Sequence, residues 1–222
     1  MKKLLILKNI CKISIVAAVT ISSMNAKGFE ANVLVTTDKA YVLGGSYIFN
    51  ENVKLGLGII SVDDLNTNAN KKDDFLGGYA TLELKKEVYP KTEVFLDLSY
   101  VSGKTDETNL SIDKGIAGLG VKYNDDKYLS PYIGVTSEEV TYVGISKQLS
   151  EAWEVGVGAM HDFDHNDSSA FLTFSYNFGS GSSSNITTSV KSALNKEFND
   201  KYKATSSTPT PTTDTKPEPV RF

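Results

Sequence analysis

The sequence predicts an all-β protein: an antiparallel up-and-down transmembrane β-barrel of about ten strands, with eight as the fallback count. Three observations lead there. Segments in which apolar residues alternate with polar ones or glycine recur from Phe29 to Phe178. The connectors between them tend to alternate between short and long, as the two ends of an outer-membrane barrel require. No run after residue 26 approaches the ~20 apolar residues of a spanning helix, so any membrane would be crossed by strands of about 9–11 residues.

The N-terminal segment is set aside first. Lys2, Lys3, Lys8 and Lys12 form a basic region, 13–21 an apolar stretch, and 22–26 a small-residue approach to a cut after Ala26. Residues 1–26 are therefore expected to be a signal peptide; Ser14 and Thr20 interrupt the apolar run. Cys11, the only cysteine, lies inside this segment, and Lys8-Asn9-Ile10 before it do not suit lipid attachment. Without it, residues 27–222 can form neither a disulfide nor a thiolate metal site. Removing four of the 23 Lys and Arg leaves 19 against 27 Asp and Glu, a net charge of −8 that argues against nucleic acid as a partner.

The barrel domain is expected over 27–178. Its first two segments, 28–37 and 41–50, are joined by a short connector, and a second short turn, Asn50 to Asn52, leads to 53–62. There Val53, Leu55, Leu57 and Ile59 alternate with Lys54, Gly56 and Gly58. A long polar connector, Asp63 to Asp73, precedes 74–86, and a short one, Val88 to Lys91, precedes 92–102. In that fifth segment Val94, Leu96, Leu98 and Tyr100 oppose Glu93, Asp97 and Ser99, with Phe95 as an exception. Gly103 to Asp113 is long again, followed by 114–123, a short turn, 128–136, a short outer connector at Ser137 to Glu139, and 140–149. The ninth segment, 152–161, sets Trp153, Val155, Val157 and Ala159 against Glu154, Gly156 and Gly158. The tenth, 169–178, sets Leu172, Phe174, Tyr176 and Phe178 against Thr173, Ser175 and Asn177. An even strand count puts both chain ends on one side, the periplasmic one.

Beyond the barrel, 179–222 is read as a periplasmic tail. Gly179 to Ser184 is a flexible linker. Val190, Leu194, Phe198 and Tyr202 recur every four residues as in a short amphipathic helix. The Thr- and Pro-rich stretch from Ala204 to Phe222 is expected to be disordered.

Periodicity alone does not decide which row faces out, since a soluble lipocalin-like barrel alternates too. Glycine and aromatic placement favours the membrane form. Gly44, Gly56, Gly58, Gly118, Gly120, Gly134, Gly144, Gly156 and Gly158 share the polar parity, which suits a crowded interior. Tyr41, Tyr100, Tyr123, Trp153, Tyr176 and Phe178 sit near segment ends on the apolar parity, like interfacial girdles. Glu30, Lys54, Glu83, Glu93, Asp97, Lys122 and Glu154 then line the lumen as an ionic network that fills and stiffens it, a narrow ion path being the alternative.

The leader, the dyad alternation, the connector rhythm and the closing strand Ala170 to Phe178 resemble the small outer-membrane barrel superfamily typified by the OmpA transmembrane domain and OmpX. The resemblance covers residues 1–178 and implies an outer-membrane location. It also implies a role for Phe178, with Tyr176 and Phe174 in the same row, in the signal read by the barrel-assembly machinery. It implies no ligand. Lipid and lipopolysaccharide are the expected surroundings, with acids such as Asp63, Asp64, Asp73, Asp74, Asp106, Glu107 and Asp113 on the outer loops among Lys71, Lys72, Lys104 and Lys114. Peptidoglycan or a periplasmic protein is a candidate partner for the tail.

Catalytic sets were sought in the last outer loop, where His161, Asp162, Asp164, His165 and Asp167 cluster. The four-residue spacing of the histidines suits a helix rather than a hairpin tip, and the Asp-rich run lacks the glycine and late glutamate of a calcium loop. Asp164 and His165 are adjacent, which on a strand would point them apart and speaks against an omptin-like protease. Ser168, His165 and Asp167 contain the residue types of a lipid-modifying enzyme, but a triad is set by geometry rather than adjacency. The chain is expected to be non-catalytic, with no cofactor and no metal: a structural or surface-interaction protein, then a minor channel, then a lipid-modifying enzyme.

Overall fold

A computed structural model describes residues 28–66, 72–125 and 128–178; the signal-peptide and tail expectations lie outside the described residues. Ten antiparallel strands close on themselves: β1 (Gly28–Thr36), β2 (Ala40–Asn50), β3 (Val53–Asn66), β4 (Lys72–Tyr89), β5 (Thr92–Thr105), β6 (Ser111–Tyr123), β7 (Ser130–Thr136), β8 (Val140–Gln148), β9 (Trp153–Asp162) and β10 (Asp167–Asn177). Each strand pairs with its sequence neighbours. The seam is made by β1 and β10, in register from Glu30↔Asn177 to Thr36↔Phe171. Closure leaves no sheet edge along the seam, so the backbone groups there are satisfied within the wall.

Strand alternation becomes a two-sided wall because successive side chains point to opposite faces. On β7, Ser130, Tyr132, Gly134 and Thr136 are buried while Pro131, Ile133 and Val135 are exposed. The same parity holds around the circle. Leu43, Leu57, Leu98, Leu119, Val143 and Val157 stand on the outside, each between 43 and 53% exposed. At the end where β1 begins and β10 finishes, outward aromatics meet edge to face or tilted: Phe29 with Phe178 at 5.8 Å, Trp153 with Tyr176 at 4.7 Å, and Tyr176 with Phe178 at 4.4 Å.

The wall is uneven in height. β3 to β6 are 13–18 residues long, whereas β7 to β10 and β1 are 7–11. The sequence boundaries at 62, 102 and 114 fall short of the observed strand ends for a physical reason. Polar residues such as Asp63 and Lys104 look like loop, but a strand extending past an apolar belt has no need of an apolar row. At the loop end, the hairpins between β1 and β2 and between β7 and β8 are built alike. Lys39 (φ 59°) and Glu139 (φ 60°) occupy the left-handed region, and their N–H groups donate back to the carbonyls of Thr36 and Thr136. This is the three-residue hairpin with a left-handed last position.

Candidate functional site

The lumen is the candidate site, and its two halves differ. Nearest the termini it is ionic. Lys54 on β3 donates from Nζ to Glu30 Oε2 on β1 at 2.7 Å, reaching past β2, and lies 3.7 Å from Glu83 Oε1 on β4. Asn32 Nδ2 donates to the other oxygen of Glu30 at 3.2 Å. Lys122 on β6 donates to Glu154 on β9 at 2.8 Å, past β7 and β8. Glu83 and Asp97 stand opposite each other across β4 and β5. Glu30, Lys54, Glu83, Asp97 and Lys122 are at most 4% exposed. Charges so buried stay charged only when paired and hydrogen-bonded, and the pairs that span intervening strands tie distant parts of the wall together.

All seven lumen residues expected from sequence thus project inward; the Glu93 and Glu154 side chains keep 22 and 14% exposure. Sequence reasoning missed Lys85, which lies 3.6 Å from Glu93. Its neighbour Lys86 is exposed on the opposite face, and a Lys-Lys pair carries no alternation by which to tell the inward lysine from the outward one. Strand parity counted from Glu83 would have found it.

The half nearer the loops is mainly apolar, a filling that the ionic network expected from sequence did not include. Leu34, Val42, Ile60, Phe75, Val101, Ile112 and Tyr142 are fully buried there, with Met160 at 2% exposure. The missing physical step is that a barrel interior is packed like any core, so aromatics enter wherever the facing strand supplies a glycine. Tyr132 lies over Gly144 and Tyr142 over Gly134, partners in the β7–β8 register. Phe95 lies over Gly120 and Phe171 over Gly158 in the same way, Phe95 and Tyr132 doing so within the ionic half, next to Asp97 and opposite Lys122. Phe95, an exception to the sequence pattern, is one of these fillers. Between the halves, Ser99 donates to Thr81 at 2.9 Å.

The residues singled out at the loop end do not assemble into a reacting set. Asp162 is buried and accepts from the N–H groups of Asp164 and His165 at 3.0 and 3.3 Å, and its other oxygen lies 2.7 Å from His165 Nδ1. These bonds fasten the tip of the hairpin. His161 Nδ1 is instead 2.8 Å from Ser168 Oγ on the outer face, with its ring edge-on to Phe163. The two histidines therefore serve separate partners, and Ser168 pairs with His161 rather than His165. Among the described residues no three His, Cys, Asp or Glu side chains are placed to hold a metal ion. On the rim, Asp73 accepts from the N–H groups of Glu107 and Thr108 and from the Thr108 hydroxyl, at 2.8, 3.2 and 2.6 Å, fixing the β5–β6 loop to β4. Phe174 and Phe178 are exposed and Tyr176 half-buried, all on the outer face of β10 or just beyond it.

No family model matches the chain, and no curated protein matches it. Among solved structures, it is similar to a de novo designed transmembrane β-barrel at 15% identity and a TM-score of 0.37, covering 69% of this chain and 98% of that one. It is also similar to the N-terminal β-barrel domain of Pseudomonas aeruginosa OprF, at 11% identity and a TM-score of 0.32, covering 68 and 96%. Neisserial surface protein A matches at 11% identity and a TM-score of 0.33, covering 69 and 95%. The architecture described above rests on the chain's own strand register: a closed, ten-stranded, antiparallel up-and-down barrel.

Proposed function

We propose that this chain is a non-conducting β-barrel of the bacterial outer membrane with a structural or surface-interaction role. One observation carries the reading. Lysines and carboxylates are buried around the axis, while leucines, valines and aromatics cover the outside. In water that arrangement is inverted, because it desolvates ions and leaves a continuous apolar belt exposed. With hydrocarbon outside, the belt is solvated by lipid and the closed ladder satisfies the backbone. Membrane fractionation with gel mobility before and after boiling tests this; the expected result is membrane-bound protein whose mobility changes on heating, and recovery in a soluble fraction overturns it.

The termini then lie at the periplasmic end, with the aromatics around Phe178 at that interface, and the long strands β3 to β6 raise a wall at the outer surface. That wall, fastened by Asp73, is the element presented to lipopolysaccharide or to another cell. Phe174, Tyr176 and Phe178 are proposed as the segment recognised during barrel assembly, and the tail as the contact to peptidoglycan or a periplasmic protein. The apolar, glycine-packed half of the lumen supports a shut barrel over a minor channel. Planar-bilayer recording is expected to show no conductance steps, and a reproducible unitary conductance would replace the shut barrel by the channel. No catalytic role is proposed. Among the described residues no carboxylate bonds the pair of His161 and Ser168, and unchanged lipid A and phospholipids on deletion of the gene are the expected outcome.

A further inference from the structure

Beside the step between β6 and β7 the outer face of the barrel is hollow. β7 ends at Thr136 while its neighbour β6 continues to Ser111, and the two are in register only from Gly118↔Thr136 to Lys122↔Tyr132. The last backbone hydrogen bond between them is at Ser137, whose N–H donates to the Ala117 carbonyl at 2.7 Å and whose hydroxyl accepts from the Ala117 N–H at 3.2 Å. Beside this step the outward residues of β4 and β6 are small: Ala80, Gly115 and Ala117. A side chain added at Gly115 would meet no atom within 4 Å. The result is a shallow cleft of about 590 Å3, walled by Leu55, Leu82, Leu98 and Tyr100.

We infer that this cleft seats one acyl chain of a membrane lipid, an inference that rests on the membrane reading above. Three features point to that occupant. The walls are continuous with the apolar belt, Leu55, Leu98 and Tyr100 being 41 to 53% exposed. Of the polar residues that line the cleft, Ser99 turns its hydroxyl to that of Thr81 and Ser137 bonds the Ala117 N–H, so the surface left to an occupant is mainly apolar. A charged group stands at the loop-side rim on the outer face, where Ser102 donates to Asp113, at the level a lipid headgroup would take. Inside hydrocarbon there is no hydrophobic drive to fill a hollow, so selection is by van der Waals contact. A flexible chain lying along the cleft touches it on three sides, whereas on the rest of the wall it touches one.

The test reconstitutes the protein purified from membranes in phosphatidylethanolamine vesicles containing a phosphatidylethanolamine with a diazirine on its acyl chain. After illumination, labelled peptides are mapped by mass spectrometry. The expected result is labelling around Leu98, Gly115 and Ala117 about threefold above that around Val143 and Ile145. Gly115→Leu and Ala117→Leu, which fill the cleft, are expected to abolish that excess and leave the remainder unchanged; the empty space at Gly115 allows its variant to fold. Even labelling around the wall overturns the seat while leaving the membrane barrel intact. A dimer cross-linked through Ala117→Cys, with the cleft protected from lipid, overturns it in favour of a second copy. Absence of acyl-chain labelling anywhere removes the membrane reading itself.

Discussion

The two halves of the lumen solve the same packing problem with opposite chemistry. Towards the start of β1 the bore is filled mainly by long charged side chains whose ends meet across it, with Phe95 and Tyr132 among them; near the loops it is filled by aliphatic side chains and by aromatic rings laid on glycines. In the apolar half the limit is volume, since rings and backbone leave almost no free space. In the ionic half the limit is charge balance, since volume is set by flexible chains but every carboxylate needs its cation. The barrel therefore tolerates different errors at its two ends, and substitutions can expose that difference.

The largest effect is expected from crowding the apolar half. A Cβ at Gly58 would collide with the backbone oxygen of Leu43 and the ring of Tyr79, and the backbone atom belongs to the ladder and has nowhere to go. Gly58→Val is expected to abolish closure, read as loss of the heat-modifiable band. The neighbouring inward position in the ionic half answers differently. At Gly56 the nearest atoms are Thr81 Cγ2 at 2.8 Å and Ser46 Oγ at 2.9 Å, both on side chains. Gly56→Ala is expected to fold and to lose about 1–3 kcal/mol, the usual cost of overpacking, measured by urea titration in detergent micelles. Equal failure of both variants would erase the distinction between the halves.

Next comes charge. Lys54→Met removes the cation shared by Glu30 and Glu83 while keeping its volume. Leaving buried carboxylates uncompensated costs about 3–5 kcal/mol. Adding Glu30→Gln to Lys54→Met is expected to recover a measurable part of the loss, because it removes one stranded charge; a double variant no more stable than the single would mean that Lys54 acts by packing. At the boundary, Ser99→Ala deletes the hydrogen bond to Thr81 and is expected to cost about 0.5–1.5 kcal/mol.

The sequence spoke clearly about one half and poorly about the other. Strand parity and the placing of Glu30, Lys54 and Asp97 on the row opposite the leucines follow from alternation, and the inward direction of that row follows from the glycines that share it. The aromatic filling is hidden by the same logic. Phe75 and Tyr79 share the parity of Thr81 and Glu83, and Phe171 that of Thr173 and Ser175, but as apolar residues they blur the polar row instead of defining it. What marks them is the glycine opposite, as Gly144 is for Tyr132, and that needs the register between strands, which becomes reliable only after pairing is known. Rim contacts such as Asp73 with Thr108, 35 residues apart, were illegible for the same reason. The pairing of His161 with Ser168 was closer to reach, since counting back from the hairpin tip places them opposite each other.

The smallest expected effect lies above both halves, at the hairpin tips, and it separates local strain from lumen packing. Lys39 and Glu139 hold positive φ, a conformation that costs an L-residue about 1–2 kcal/mol and glycine little. Glycine also gives up more conformational freedom on folding, so the two terms largely cancel. Glu139 is exposed, so Glu139→Gly is expected to change stability by less than about 1 kcal/mol, with stabilisation the favoured sign. Replacing the same residue by Val, whose branched side chain resists the left-handed region, is expected to destabilise by about 1–2 kcal/mol. Urea midpoints of the two variants measured side by side decide it. If valine is tolerated as well as glycine, the β7–β8 turn is not held in this conformation, and the early end of β7 would have to be explained by the lumen packing of Tyr132 and Tyr142 alone.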